Sequence, residues 1–80
     1  MNIGLTLTVD LHGMTVSEAR ATLLRELKSC PKTVSEIDVI HGFKGGQELL
    51  KMVRSFSHPR IERKILGLNN GSTTFKLRNF

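Results

Sequence analysis

The sequence predicts an α/β two-layer sandwich ordered β-α-β-α-β-β, with two helices and a mostly parallel four-stranded sheet. Three features lead there: an opening segment with the period of a strand, two stretches of helical periodicity that each follow a strand, and a closing pair of β-rich segments joined by turn residues. Strand–helix–strand units make right-handed crossovers between parallel neighbours, so the first three strands are expected to lie parallel and the last antiparallel. Helices on one face of the sheet and helices on opposite faces are both compatible with this pattern.

Leu5-Thr6-Leu7-Thr8-Val9-Asp10 alternates apolar and polar residues and reads as the first strand. His12-Gly13-Met14 breaks the alternation, and Thr15-Val16-Ser17-Glu18 has the form of a capping box, which starts a helix at about Val16. Val16, Ala19, Leu23, Leu24 and Leu27 keep helical spacing until Cys30-Pro31 ends it. Ile37-Asp38-Val39-Ile40 is the second predicted strand, followed by the glycine-rich run His41-Gly42-Phe43-Lys44-Gly45-Gly46. Leu49, Met52, Val53 and Phe56 mark a short second helix that ends by Pro59. Ile65-Leu66-Gly67-Leu68 and Thr73-Thr74-Phe75-Lys76-Leu77 are the closing strands, with Asn69-Asn70-Gly71-Ser72 as a hairpin turn.

At 80 residues, one compact domain over 1–80 is the expectation, too small to enclose a large ligand cavity. Any site should be a surface groove, and no small-molecule cofactor is expected. The single cysteine, Cys30, rules out an internal disulfide and offers no cysteine spacing for a metal, which suits a reducing, cytoplasmic setting. The first residues lack a basic start followed by a long apolar run, and nowhere do about 18 apolar residues stand together, so neither secretion nor a membrane is expected. The net charge of +5 is uneven: residues 1–40 have four basic against five acidic side chains, whereas residues 41–80 have eight against two. A folded surface with its cations so concentrated attracts polyanions, and phosphate backbones are the commonest of these.

Asp10-Leu11-His12-Gly13 and His41-Gly42 both fall at the carboxyl ends of strands expected to be parallel neighbours, where open α/β sheets bind their ligands. Period-two alternation puts Asp10 and His12 on one side and Leu11 on the other. A carboxylate beside an imidazole can select its tautomer and raise its basicity, which suits activation of a water or a ribose 2′-hydroxyl. His41 supplies a second imidazole for proton transfer. The plain structural alternative is that Asp10 caps a turn and both histidines hold backbone. Two histidines and an aspartate lack tight metal-ligand spacing, so no metal site is assigned, while a divalent ion such as Mg²⁺ or Mn²⁺ remains an open cofactor.

The loop of Gly42, Phe43, Lys44, Gly45 and Gly46 precedes a helix start, where free amides and the helix dipole favour a phosphate, and Lys44 adds charge. It lacks the ending of a nucleotide-hydrolase phosphate loop, so a polymer backbone suits it better than a mononucleotide. Phe43 can stack an unpaired base, although four phenylalanines without Trp or Tyr make no aromatic platform for reading sequence. Arg54, Arg60, Arg63 and Lys64 are expected to follow a phosphate backbone beside the groove, the alternative being an ordinary solvated face.

Val9-Asp10-Leu11-His12-Gly13 with Ser17-Glu18-Ala19, Ile40-His41-Gly42 with its glycine loop, and His58-Pro59-Arg60-Ile61 together resemble the Smr (small MutS-related) domain. The resemblance covers almost the whole chain and implies a stand-alone Smr domain. It further implies a βαβαββ fold similar to the carboxyl-terminal domain of translation initiation factor three. It also implies kinship with DNA-nicking and RNA-cleaving endonucleases, some of which act on translated messages or ribosomes. On this resemblance Asp10 and His12 are the catalytic candidates, with His41 and Gly42 helping to form the site. The family's Gly-x-Gly is altered here, because Lys44 stands where the second glycine is usual. The expected function is nucleic-acid binding with endonuclease activity on DNA or RNA; the alternative is a non-catalytic nucleic-acid or ribosome-binding module.

Overall fold

The computed structural model describes residues 4–42, 47–66 and 71–78. Its elements are β1 (Leu5–Asp10), α1 (Val16–Ser29), β2 (Val34–Ile40), α2 (Glu48–Ser55), β3 (Ile61–Leu66) and β4 (Ser72–Leu77). The order is the expected one. The sheet is not mostly parallel, however: its spatial order is β1-β2-β4-β3, so β1 and β2 form a parallel pair while β4 pairs antiparallel with both β2 and β3. The correction has a physical reason. Thr73, Phe75 and Leu77 alternate as buried residues along β4, which suits a strand covered by neighbours on both sides. β3 contains Glu62, Arg63 and Lys64, and charge of this kind belongs on an edge. The hairpin therefore folds β4 inward, between β2 and β3.

β3 also begins earlier than expected, at Ile61, because its charged run reads as surface in the sequence but costs little on an edge strand. β2 begins at Val34 instead of Ile37. There the register jumps from Leu5 opposite Val34 to Thr6 opposite Glu36, and this bulge hides the alternation that a regular strand would show. The expected turn at Asn69-Asn70, with Gly67 and Leu68, lies outside the described residues.

Both helices cover the same face of the sheet. Ala19, Leu23 and Leu27 of α1 and Met52 and Val53 of α2 share one buried cluster with Val9, Ile37, Val39, Phe75 and Leu77. Thr6, Thr8, Asp38, Thr74 and Lys76 alternate with these strand residues on the open face, where water solvates them. α1 is started by the expected capping box: the Thr15 hydroxyl accepts from the Glu18 amide at 3.1 Å and the Glu18 carboxylate accepts from the Thr15 amide at 2.9 Å. The Thr15 amide, and then the Thr15 hydroxyl, hold the Glu18 carboxyl below the usual range. Among the described residues no helix is long and apolar enough to cross a membrane.

Candidate active site

β1 and β2 end side by side, Asp10 opposite Ile40, and the ladder continues one step further as the Leu11 amide donates to the Ile40 carbonyl at 2.7 Å. Leu11 is fully buried, and this anchor turns its neighbours Asp10 and His12 outward on the same side. Gly13 then takes a φ of +81°, which a side chain would resist, and the chain turns into α1 through a bond from the Met14 amide to the Leu11 carbonyl.

Asp10 and His12 meet as the alternation predicts. One carboxylate oxygen, Oδ1, accepts from the His12 backbone amide at 3.1 Å and from its ring Nδ1 at 2.6 Å. A carboxylate only accepts, so Nδ1 carries a proton, and in the neutral ring Nε2 keeps its lone pair. The side chains are 73% and 50% exposed for His12 and Asp10, which places Nε2 on an open ledge facing solvent. The imidazole bond, then the amide bond, holds the Asp10 carboxyl below the usual range. Stability from a depressed carboxyl pKa is present above its ordinary value and is lost as pH falls through the lowered one. Asp10→Asn should therefore melt below the wild type at neutral pH, and the difference should close below about pH 4, as followed by thermal melts across pH.

His41 is placed differently. It is 4% exposed, and both ring nitrogens are engaged. Nδ1 donates to the Gly42 carbonyl at 3.0 Å, so Nε2 accepts from the Thr73 hydroxyl, also at 3.0 Å. The backbone amides of His41 and Gly42 both donate to the Gly71 carbonyl at 3.0 Å. Hence neither the His41 ring nor the Gly42 amide presents an open donor or acceptor nitrogen to a substrate. Gly42 has a φ of +76°, and a β-carbon on it would lie 3.8 Å from the His12 Cβ, so this turn is a near neighbour of the dyad. Phe43, Lys44, Gly45 and Gly46 lie outside the described residues. α2, which follows them, starts at Glu48, and its N-cap Gln47 makes no side-chain capping bond, unlike Thr15 at the start of α1.

The four basic residues expected beside the groove do not form one cluster. β3 runs in the same direction as β1, so Arg60 sits at the opposite end of the sheet from Asp10 and His12. There one of its guanidinium nitrogens donates to the Leu27 and Cys30 carbonyls, each at 2.9 Å, and lies 3.0 Å from the Cys30 sulfur, closing the end of α1. Lys64 donates to the Arg54 carbonyl at the end of α2 and stands over the Phe75 ring; burial pushes its pKa down. The Arg54 side chain is exposed, and so is that of Arg63, which shares the open face with Lys76. Removing the α1 cap with Arg60→Ala should cost about 1.5–3 kcal/mol in urea melts, as for other charged hydrogen bonds, while nucleic-acid affinity stays at the wild-type level. Among the described residues no group of three or more His, Cys, Asp or Glu could hold a metal.

Thr73 and Gly71 are the site residues that sequence reasoning missed. Thr73 did leave a signal, since it keeps phase with Phe75 and Leu77 on the buried side of β4, and a buried hydroxyl needs a partner. Gly71 acts through its carbonyl alone, and that leaves no trace in residue type.

This arrangement, an Asp-x-His dyad and a His-Gly turn at two adjoining strand ends of a βαβαββ sheet, is an exposed surface site on a small α/β domain. The chain matches the family model for the Smr domain over residues 9–70 and belongs to that family. It is also similar to the crystal structure of the Smr domain of Thermus thermophilus MutS2, with 28% identity and a TM-score of 0.81, over 90% of this chain and 98% of that one. No curated protein matches it. The Smr family is associated with nucleic-acid binding and nuclease activity.

Proposed function

We propose that the protein is a nucleic-acid endonuclease in which His12 is the general base. The observation that carries this reading is the 2.6 Å bond from His12 Nδ1 to Asp10, which fixes the tautomer and turns Nε2 out to solvent. In the reaction Nε2 takes a proton from a water or a ribose 2′-hydroxyl, the oxygen so freed attacks phosphorus, and the bond to the leaving oxygen breaks. The Asp10 carboxylate steadies the imidazolium that forms. A base beside the attacking oxygen cannot also reach the leaving oxygen on the far side of phosphorus, so that oxygen takes its proton from solvent on the open ledge.

Affinity comes from phosphate contacts. Lys44, in the glycine-rich run before α2, supplies phosphate contacts by its charge, with Arg54 and Arg63 adding longer-range attraction. The positions of Arg60 and Lys64 at the ends of the two helices support a structural role for both. His41 supports the turn from inside and does not transfer protons.

A second reading, a nucleic-acid-binding module without catalysis, is favoured by one observation: the buried, fully engaged His41 leaves one exposed imidazole at the site. End-labelled single- and double-stranded RNA and DNA, incubated with Mg²⁺, Mn²⁺ or chelator, separate the two. Cleavage of any substrate supports the endonuclease; salt-sensitive binding of all of them, with no cleavage under any condition, replaces it with the binding module.

A further inference from the structure

Thr73 sits in the middle strand of the β2-β4-β3 half of the sheet, fully buried, in a row of otherwise apolar side chains. Valine has the same shape and would suit such a position better, because a buried hydroxyl gives up water and must find a partner. Its partner is His41, 32 residues away in sequence, and that ring is itself buried and bonded onward to the Gly42 carbonyl. Gly42 in turn adjoins His12, near enough that a β-carbon added to it would stand 3.8 Å from the His12 Cβ, and it has a backbone conformation that glycine alone adopts readily.

We infer that Thr73 is a positioning residue for the His12 base, acting through His41 and the Gly42 carbonyl. The inference rests on the endonuclease reading above. Each link has a definite direction. The Thr73 hydroxyl donates to Nε2, which keeps the proton on Nδ1, and Nδ1–H then holds the Gly42 carbonyl turned toward the core. The plane of that carbonyl decides where the α-carbon of Gly42 stands, and from this α-carbon a β-carbon would reach to 3.8 Å of the His12 Cβ, so the turn and His12 are near neighbours. The shared Gly71 carbonyl, which accepts from the amides of both His41 and Gly42, ties the same turn to the start of β4, two residues from Thr73. Two tethers to one strand thus locate the turn at the end of β2. A side chain as exposed as His12 has few contacts of its own to define its position, so its placement depends on Asp10 and on the neighbouring Gly42 turn.

The test compares Thr73→Val with Thr73→Ser. Valine keeps the shape and removes the hydroxyl; serine keeps the hydroxyl. Both variants are checked for folding by circular dichroism, and ¹H–¹⁵N spectra report the Gly42 and His12 backbone amides and the His12 ring nitrogens. Thr73→Val is expected to shift the Gly42 and His12 resonances and to lower the single-turnover cleavage rate about 10- to 100-fold, with substrate affinity unchanged. Thr73→Ser is expected to restore both. A folded Thr73→Val protein whose Gly42 and His12 resonances match the wild type overturns the inference, and so does a Thr73→Ser protein as impaired as the valine variant. The spectra decide the matter even if the wild type proves unable to cleave, so failure of the nuclease reading and failure of this positioning role remain distinct results.

Discussion

His12→Ala is expected to lower the cleavage rate by about 10²- to 10⁴-fold, the range associated with losing a general base. The substitution removes a side chain that is 73% exposed and packs little, so the affinity for nucleic acid should stay near that of the wild type, while the melting temperature should fall no further than in Asp10→Asn, which disrupts the same imidazole–carboxylate bond. The loss should therefore fall on the rate of bond breaking in the bound complex and not on binding. Asp10→Asn is expected to act in the same direction but less severely. Its amide oxygen can still accept from Nδ1, while the negative charge that steadies the imidazolium is gone.

The largest effect on folding is expected from Phe75→Ala. Phe75 is fully buried in β4, opposite Ile37 of β2 and Lys64 of β3, and its ring meets Phe56 edge-on with centroids 6.2 Å apart. Truncating a buried phenylalanine costs about 3–5 kcal/mol. The total stability of a chain of this length is on the order of 4–12 kcal/mol, so the variant should lose a large part of it. Thermal melts should show Tm falling by at least about 12 °C. The ring also supports Lys64, whose ammonium stands 6.0 Å from its centroid, so the end of α2 should loosen together with the sheet. An unchanged Tm would mean that β4 is not the centre of the core.

Much of this architecture was legible locally. The alternation of Leu5–Asp10, the capping box at Thr15 and Glu18, and the stop at Cys30-Pro31 are short-range patterns whose physics lies within a few residues. The meeting of Asp10 and His12 was legible for the same reason, since it follows from period two at a strand end. Strand order was not. Insertion of β4 between β2 and β3 depends on which strand can bear charge at an edge, a comparison between segments and not a property of either one.

The basic residues illustrate the same limit. Arg60 and Lys64 stand among the cations of the second half of the chain, and their sequence positions suggest a phosphate track. Arg60 instead closes α1 by reaching carbonyls some thirty residues earlier, and Lys64 closes α2 from the neighbouring strand. A helix end needs partners for its carbonyls, and a long cation from elsewhere in the fold can supply them, which spacing does not reveal. His41 was legible as a strand-end histidine beside the dyad, but its burial was not, because the pairing with Thr73 spans 32 positions.

The central claim, that His12 is a base held by Asp10, is tested most directly by single-turnover cleavage of bound nucleic acid by His12→Ala, with and without added imidazole. The ledge is open, so a free imidazole can reach the space that the ring vacates. The account predicts cleavage near background without imidazole and a rate that rises with its concentration. Cleavage by His12→Ala at the wild-type rate, or residual cleavage that no concentration of imidazole alters, would contradict it.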